Sequence, residues 1–193
     1  MERSGVISLG ESDWGMPAFV IKKADGRLRI CFDARDLNSV TVTSNFPLPR
    51  IDSIFEKIGH AKPRYFSLID VRSGYYNIQL DEESRKKAAI ITPFGQYLTN
   101  RLCFGLKNAP SFFSITMARL LMHLPKEDKP YHEVYIDDIF VYSYTEEEHF
   151  RHVREVLKIL DKSGLKIIPS KVSFFQHELN FLGRRIDSSG IAM

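Results

Sequence analysis

Disulfides, membrane spans and a strong excess of either charge are all missing from this sequence. Its only cysteines, Cys31 and Cys103, are too few for the disulfide framework of a small secreted domain, and no apolar leader-type segment opens the chain. Both read as small core hydrophobes in a reducing compartment. No apolar run approaches the roughly 20 residues that cross a bilayer, so no membrane partner is expected. The 27 basic and 24 acidic residues leave a net charge of +3, which favours polyanions only mildly and does not itself indicate nucleic acid. There is no repeat, linker or low-complexity stretch. A zinc cluster is absent too: His149 and His152 share a helix face without a cysteine or a third histidine beside them, which predicts a solvated helix face.

What is present is apolar content, 44% of 193 residues, enough to bury a core as one domain or as two packed subdomains. Residues 19–31 form two β-rich runs around Ala24-Asp25-Gly26, a hairpin pattern. Phe46-Pro47-Leu48-Pro49 is extended, and Ile51, Ile54, Phe55 and Ile58 then recur at helical spacing up to Gly59. Residues 65–71 make an apolar strand that Asp70 closes, and 76–80 alternate as a second strand. Residues 88–92 and 96–103 flank Pro93-Phe94-Gly95 as another hairpin. Pro110 opens a helix to about Leu124. Two β-rich segments within 133–142 bend at Asp137-Asp138. Thr145 and Glu148 make a capping box for a helix with Phe150, Val153, Leu157 and Leu160 as its stripe and Gly164 as its stop. Residues 174–186 read as strand or hairpin. Strands interleaved with helices and hairpins predict an α+β fold with a mainly antiparallel sheet.

Asp137-Asp138 stands between two segments that call for burial, so the pair must be solvated, paired or bound to a cation. Most Asp-Asp pairs in hairpins are turn residues and nothing more. A third carboxylate, Asp70, ends another apolar strand and changes the reading. Three carboxylates on one sheet edge repel one another, and Mg²⁺, which prefers hard oxygen ligands, would offset that cost. The cluster suits two-metal phosphoryl transfer, in which ions roughly 3.5–4 Å apart activate a hydroxyl and stabilise a leaving oxygen.

Tyr135-Ile136-Asp137-Asp138 resembles the Tyr-x-Asp-Asp box of reverse transcriptases. Around it, in order, stand Trp14, Pro17, Lys22-Lys23, Asp25-Gly26, Phe46-Pro47-Leu48-Pro49-Arg50-Ile51-Asp52, Asp70, Arg72-Ser73-Gly74-Tyr75, Phe104-Gly105-Leu106, Asn108-Ala109-Pro110, Glu146 to His149, Lys171 and Phe181-Leu182-Gly183. That series is similar to the long-terminal-repeat retrotransposons of the gypsy type and covers nearly the whole chain. The resemblance implies a polymerase palm with an antiparallel sheet and packed helices (about 65–85 and 107–193), plus a fingers subdomain with a β-hairpin (about 1–64 and 86–106). It implies an RNA-directed DNA polymerase that extends a primer 3′-hydroxyl with dNTPs, using two Mg²⁺ ions for which Mn²⁺ could substitute. Its partners would be an RNA template, a DNA primer and their RNA–DNA hybrid.

In residues, the resemblance assigns Asp70, Asp137 and Asp138 to catalysis and metal. It assigns Lys23 and Arg29, with Val71, Tyr75 and Phe104, to the nucleotide, with Tyr75 as a gate against the ribose 2′-hydroxyl. Tyr135, Ile136, Phe181, Leu182 and Gly183 are assigned to primer and template. Strand alternation independently puts Lys23, Arg27 and Arg29 on one face of the first hairpin. Each assignment has a plainer counterpart: a solvated basic hairpin, or core packing for Tyr75, Phe104 and Phe181. Departures from the family pattern stand at Tyr76-Asn77, Ala88-Ala89-Ile90 and Leu102-Cys103. No segment matches the thumb, the connection subdomain or ribonuclease H, so an inactive nucleic-acid-binding remnant is the alternative, and another palm-type nucleotidyltransferase or cyclase a third. A retroelement protein of this kind is expected in cytoplasmic virus-like particles or in the nucleus.

Overall fold

A computed structural model describes residues 1–22, 26, 28–71 and 74–192, and only the backbone of Arg29. In chain order the elements are β1 (Ile7–Leu9), β2 (Met16–Lys22), β3 (Leu28–Phe32), α1 (Arg35–Val40), α2 (Ile51–Ala61), β4 (Tyr65–Asp70), α3 (Glu82–Lys87), β5 (Ile90–Thr92), β6 (Gly95–Thr99), α4 (Ala109–Leu121), β7 (His132–Tyr135), β8 (Asp138–Ser143), α5 (Glu146–Lys162), β9 (Ser173–Gln176), β10 (Glu178–Phe181), β11 (Arg184–Asp187) and β12 (Gly190–Ala192). The chain divides into two compact units, one of Met1–Asn45 with Ser73–Phe112 and one of Phe46–Arg72 with Phe113–Met193.

The first unit is built on a five-stranded sheet in the order β1-β6-β5-β2-β3. Its pairings are antiparallel except β2 with β5, where Met16 faces Ile90. The expected first hairpin forms, with Ile21 opposite Arg29 and Lys22 opposite Leu28. The step that would seat Lys23 opposite Arg27 lies outside the described residues. Met16, Phe32, Ala34, Ala88, Ile90 and Cys103 make the core, so Cys103 is a core hydrophobe while Cys31 is only half-buried.

One expectation fails in this unit. Residues 76–80 are not a strand: Gly74–Asn77 is a 3₁₀ turn and pairing is confined to a single bridge between Gln79 and Arg101. Alternation does not carry the strand through 76–80, because only 78–80 has a neighbour: the Leu80 N–H donates to the Asn100 carbonyl at 3.0 Å and the Leu102 N–H to the Ile78 carbonyl at 2.9 Å. Helix α3 was not expected, although its signals are present. The Asp81 carboxylate accepts from the Ser84 N–H at 3.0 Å, acidic residues open the helix and Arg85, Lys86 and Lys87 close it, which suits the helix dipole.

The second unit carries a four-stranded antiparallel sheet, β7-β8-β4-β9, and a three-stranded one, β10-β11-β12. Helix α2 runs through Gly59 and ends at Lys62 in the left-handed region. Its Ile54, Phe55 and Ile58 pack with Phe66, Phe140, Tyr142, Leu179, Phe181 and Ile186, each large apolar side chain contributing roughly 1.5–3 kcal/mol by burial. Strand β4 is central and gives the apolar run its reason: Phe66 and Ile69 are fully buried.

The capping box of α5 is present, with Thr145 and Glu148 satisfying each other's backbone N–H. Its buried stripe, however, is His149, His152, Val153, Val156 and Leu160, while Phe150 is 61% exposed. The two histidines are therefore core residues, not a solvated face. Serines make this tolerable. The Phe175 N–H donates to Ser67 Oγ, which lies 2.7 Å from His149 Nε2; Ser143 Oγ lies 2.9 Å from His149 Nδ1 and 2.8 Å from His152 Nδ1; His152 Nε2 meets the Glu127 carboxylate at 3.0 Å. One consistent proton order starts from the Glu127 carboxylate, which can only accept. His152 Nε2–H donates to Glu127, Ser143 O–H to His152 Nδ1, His149 Nδ1–H to Ser143, and Ser67 O–H to His149 Nε2. Each ring nitrogen of His149 and His152 and both serine hydroxyls then have partners.

Candidate active site

The site grows from one pairing register. Strands β4 and β8 run antiparallel with Ile69 opposite Ile139 and Asp70 opposite Asp138, so the last residue of one buried strand faces the first residue of the next. Strand β7 brings Tyr135 opposite Asp138, leaving Ile136 and Asp137 as a two-residue loop. Of these two only Ile136 has a positive φ, 55°, the pattern of a II′ turn whose first position glycine normally takes. A β-branched residue there is strained. The loop is tied back to the central strand, since the Val71 N–H donates to the Asp137 carbonyl at 3.1 Å. Val71 itself is buried.

Local sequence and tertiary pairing thus gather Asp70, Asp137 and Asp138 at one sheet edge, as the sequence implied. Asp137 is exposed and the other two are half-buried. The Asp138 carboxyl is pushed up to about 6, first by burial and then by the charges of Asp137 and Asp70, with Lys171 opposing. A cation would relieve that repulsion. Lys171 already stands there: its Nζ is 2.8 Å from Asp70 Oδ2, and its own pKa is raised by that bond and by the neighbouring aspartates. Among the described residues, no three of His, Cys, Asp and Glu stand in a ready-made metal-ligating arrangement; Asp70 engages the ammonium.

The fit to divalent metal therefore rests on chemistry: three hard carboxylates on adjacent strand ends, one of them reluctant to ionise, and an ammonium already drawn to them. The sequence reading placed Lys171 only within an ordered series of motifs. No local signal names its partner, because Asp70 is 101 positions away.

The remaining assigned residues sit as follows. In the first unit Tyr75, half-buried in the 3₁₀ turn, lies with its ring centroid 4.7 Å from that of Phe104, and Phe104 is also edge-on to Tyr76. Phe104 is 41% exposed, and Gly105 follows it with φ 95°. Lys23 lies outside the described residues, as does the side chain of Arg29. In the second unit Tyr135 packs against the core cluster. Phe181 is 1% exposed and stacks on Phe140 at 4.8 Å, so its side chain is a core member. Leu182 and Gly183 form the two-residue loop that joins β10 to β11, both with positive φ (48° and 79°), as a I′ turn requires. Arg184 follows and lies over the Phe55 ring at 4.7 Å.

Comparison with known proteins shows the family. The family described as reverse transcriptase (RNA-dependent DNA polymerase) matches residues 21–186. The chain is 35% identical over 196 residues to the retrovirus-related Pol polyprotein from transposon 297 of Drosophila melanogaster, covering 99% of the chain and 18% of that protein. It is 31% identical over 194 residues to the Pol polyprotein from transposon gypsy of the same organism, covering 97% and 18%. Among solved structures, the foamy viral protease–reverse transcriptase in complex with RNA/DNA hybrid superposes with a TM-score of 0.88 at 25% identity, over 100% of this chain and 25% of that one. The chain thus spans about a fifth to a quarter of the length of these relatives. Among the described residues, no helix is long and apolar enough to cross a membrane.

Proposed function

The chain belongs to the reverse transcriptase family, and from that premise we propose that it carries the nucleotidyl-transfer site of an RNA-directed DNA polymerase. In this reading the second unit is the palm and the first the fingers, with 46–64, expected in the fingers, in the second unit and 74–85, expected in the palm, in the first. The observation that carries the reading is the in-register pairing of Asp70 with Asp138, with Asp137 in the adjoining turn: three carboxylates on two neighbouring strand ends, in a chain whose family extends primers. Asp70 and Asp137 would hold the Mg²⁺ ions, and Asp138, half-buried beside them, would shape the site. Bound there, the metal supplies the Lewis acid for attack by a primer 3′-hydroxyl and for departure of pyrophosphate.

This chain's own contribution is positioning. The strained Ile136 turn fixes where the Asp137 carboxylate projects, and the β4–β8 register fixes its separation from Asp70. The I′ loop at Leu182-Gly183 is the segment offered to the primer strand, while the side chain of Phe181 anchors it in the core. Tyr75, braced by Phe104, bears on the sugar of the incoming dNTP. RNA template, DNA primer and their hybrid are the expected partners, tracked through backbone and 2′-hydroxyl contacts and therefore bound in a salt-dependent, sequence-tolerant way.

The test is Mg²⁺-dependent extension of oligo(dT) on poly(rA). Asp137→Asn should keep the fold, because the turn tolerates Asn, and should abolish extension. Hybrid binding without extension by the wild type would instead indicate a non-catalytic remnant. Equal extension by wild type and mutant would remove the site assignment.

A further inference from the structure

Lys171 is held at the aspartates by the sheet that presents them. After α5 the chain returns along β4: Val71 forms an antiparallel bridge with Ile167, and the Ile168 N–H donates to the backbone carbonyl of Asp70 at 3.2 Å. Pro169–Lys171 then closes a 3₁₀ turn, with the Lys171 N–H donating to the Ile168 carbonyl at 2.9 Å. Asp70 therefore engages this segment twice. Its carbonyl seats the turn, and its carboxylate takes the ammonium that the turn delivers, at 2.8 Å.

The two partners differ in exposure. The Asp70 side chain is 15% exposed and that of Lys171 59%. The ammonium approaches from the solvent side and can leave without opening a packed contact, whereas the carboxylate stays where the strand puts it. A single positive charge can hold three carboxylates against their mutual repulsion, yet a divalent ion offers twice the charge at closer range.

We infer that Lys171 is the built-in counter-cation of this site: it occupies the position beside Asp70 while metal is absent, keeps the carboxylate cluster from flying apart, and must be displaced when a divalent cation binds. The inference rests on the proposed metal site and adds to it that the cation is bound in competition with a residue of the chain itself. It follows that removing Lys171 strengthens metal binding, the opposite of what loss of a structural or substrate-binding residue would do to that equilibrium.

The experiment is a Mn²⁺ titration of the metal-free protein, with free Mn²⁺ followed by electron paramagnetic resonance and no nucleic acid or nucleotide present. Lys171→Met should tighten Mn²⁺ binding roughly two- to fivefold, the range to which a largely exposed ion pair converts. Lys171→Arg, which keeps the charge, should stay near wild type. Lys158→Met, which removes a charge paired with Glu155 on α5, should not tighten it. Melting the same proteins with and without saturating Mn²⁺ supplies a second readout: Lys171→Met should lose stability chiefly in the metal-free state. Unchanged or weakened Mn²⁺ binding in Lys171→Met overturns the inference, as does equal tightening by Lys158→Met. Asp137→Asn separates this from failure of the site itself. If it binds Mn²⁺ as well as wild type does, the aspartates are not the metal site and both readings fall; if it binds worse while Lys171→Met is unchanged, only the role of Lys171 falls.

Discussion

Acidification through the range in which free histidine charges should expose the cost of burying His149. Its ring is 0% exposed, and its pKa is pushed down from the ordinary 6.5 to about 4, chiefly by loss of solvation and further by His152. The folded-state value is depressed, so above pH 6.5 neither state carries the proton and the stability contribution is complete. Between 6.5 and 4 only the unfolded chain takes the proton up, and stability falls with pH. A shift of about 2.5 units at about 1.36 kcal/mol each gives roughly 3 kcal/mol lost in full below pH 4, and about 2 kcal/mol already lost at pH 5. Carboxylates titrate in the same window, so the measurement is a difference. Urea unfolding of wild type and His149→Gln is compared at pH 7.5 and pH 5; Gln keeps polar ends toward Ser67 and Ser143 but cannot charge. The wild type should lose about 2 kcal/mol more than the variant between the two pH values. Equal losses would refute the reasoning, meaning that the buried ring is either charged in the fold or solvated through local opening.

Two further substitutions test other assignments. Tyr75→Val should leave deoxynucleotide incorporation in place at a reduced rate while ribonucleotide incorporation rises relative to it, read as the ratio of kcat/KM for the two substrates; a mutant that loses both activities and stability together would make Tyr75 only the packing partner of Phe104. Ile136→Gly should stabilise the second unit by about 1 kcal/mol in chemical denaturation, because glycine adopts the positive φ without strain; a destabilised variant would show that the half-buried Ile136 side chain contributes more by packing than its backbone costs.

The elements legible in the sequence were those specified by short-range chemistry. The helix of Ile51, Ile54, Phe55 and Ile58 was written in its period, the start of α5 in Thr145 and Glu148, and a hairpin in the two β-rich runs around Asp137-Asp138, although its turn falls one residue earlier, at Ile136-Asp137. Asp70 stood out because a carboxylate closing an apolar strand must find water, a partner or a cation. Helix α3 was equally legible in Asp81, Ser84 and the charge order of Glu82 to Lys87.

Other features had no local cause. Residues 76–80 alternate, yet only 78–80 run beside another segment, 100–102, so the pairing stays a single bridge between Gln79 and Arg101. His149 and His152 look like surface residues until Ser67, Ser143 and Glu127 arrive from 82, 6 and 25 positions away. By itself the sequence determined where carboxylates, caps, turns and apolar stripes fall, because each depends on neighbours within a turn or two of the chain. Only the tertiary structure decided which of those groups meet, that Asp70 faces Asp138 and takes Lys171 as its partner, because those distances are set by strand register, and register is settled by burying Phe66, Ile69, Ile139 and Phe140 together.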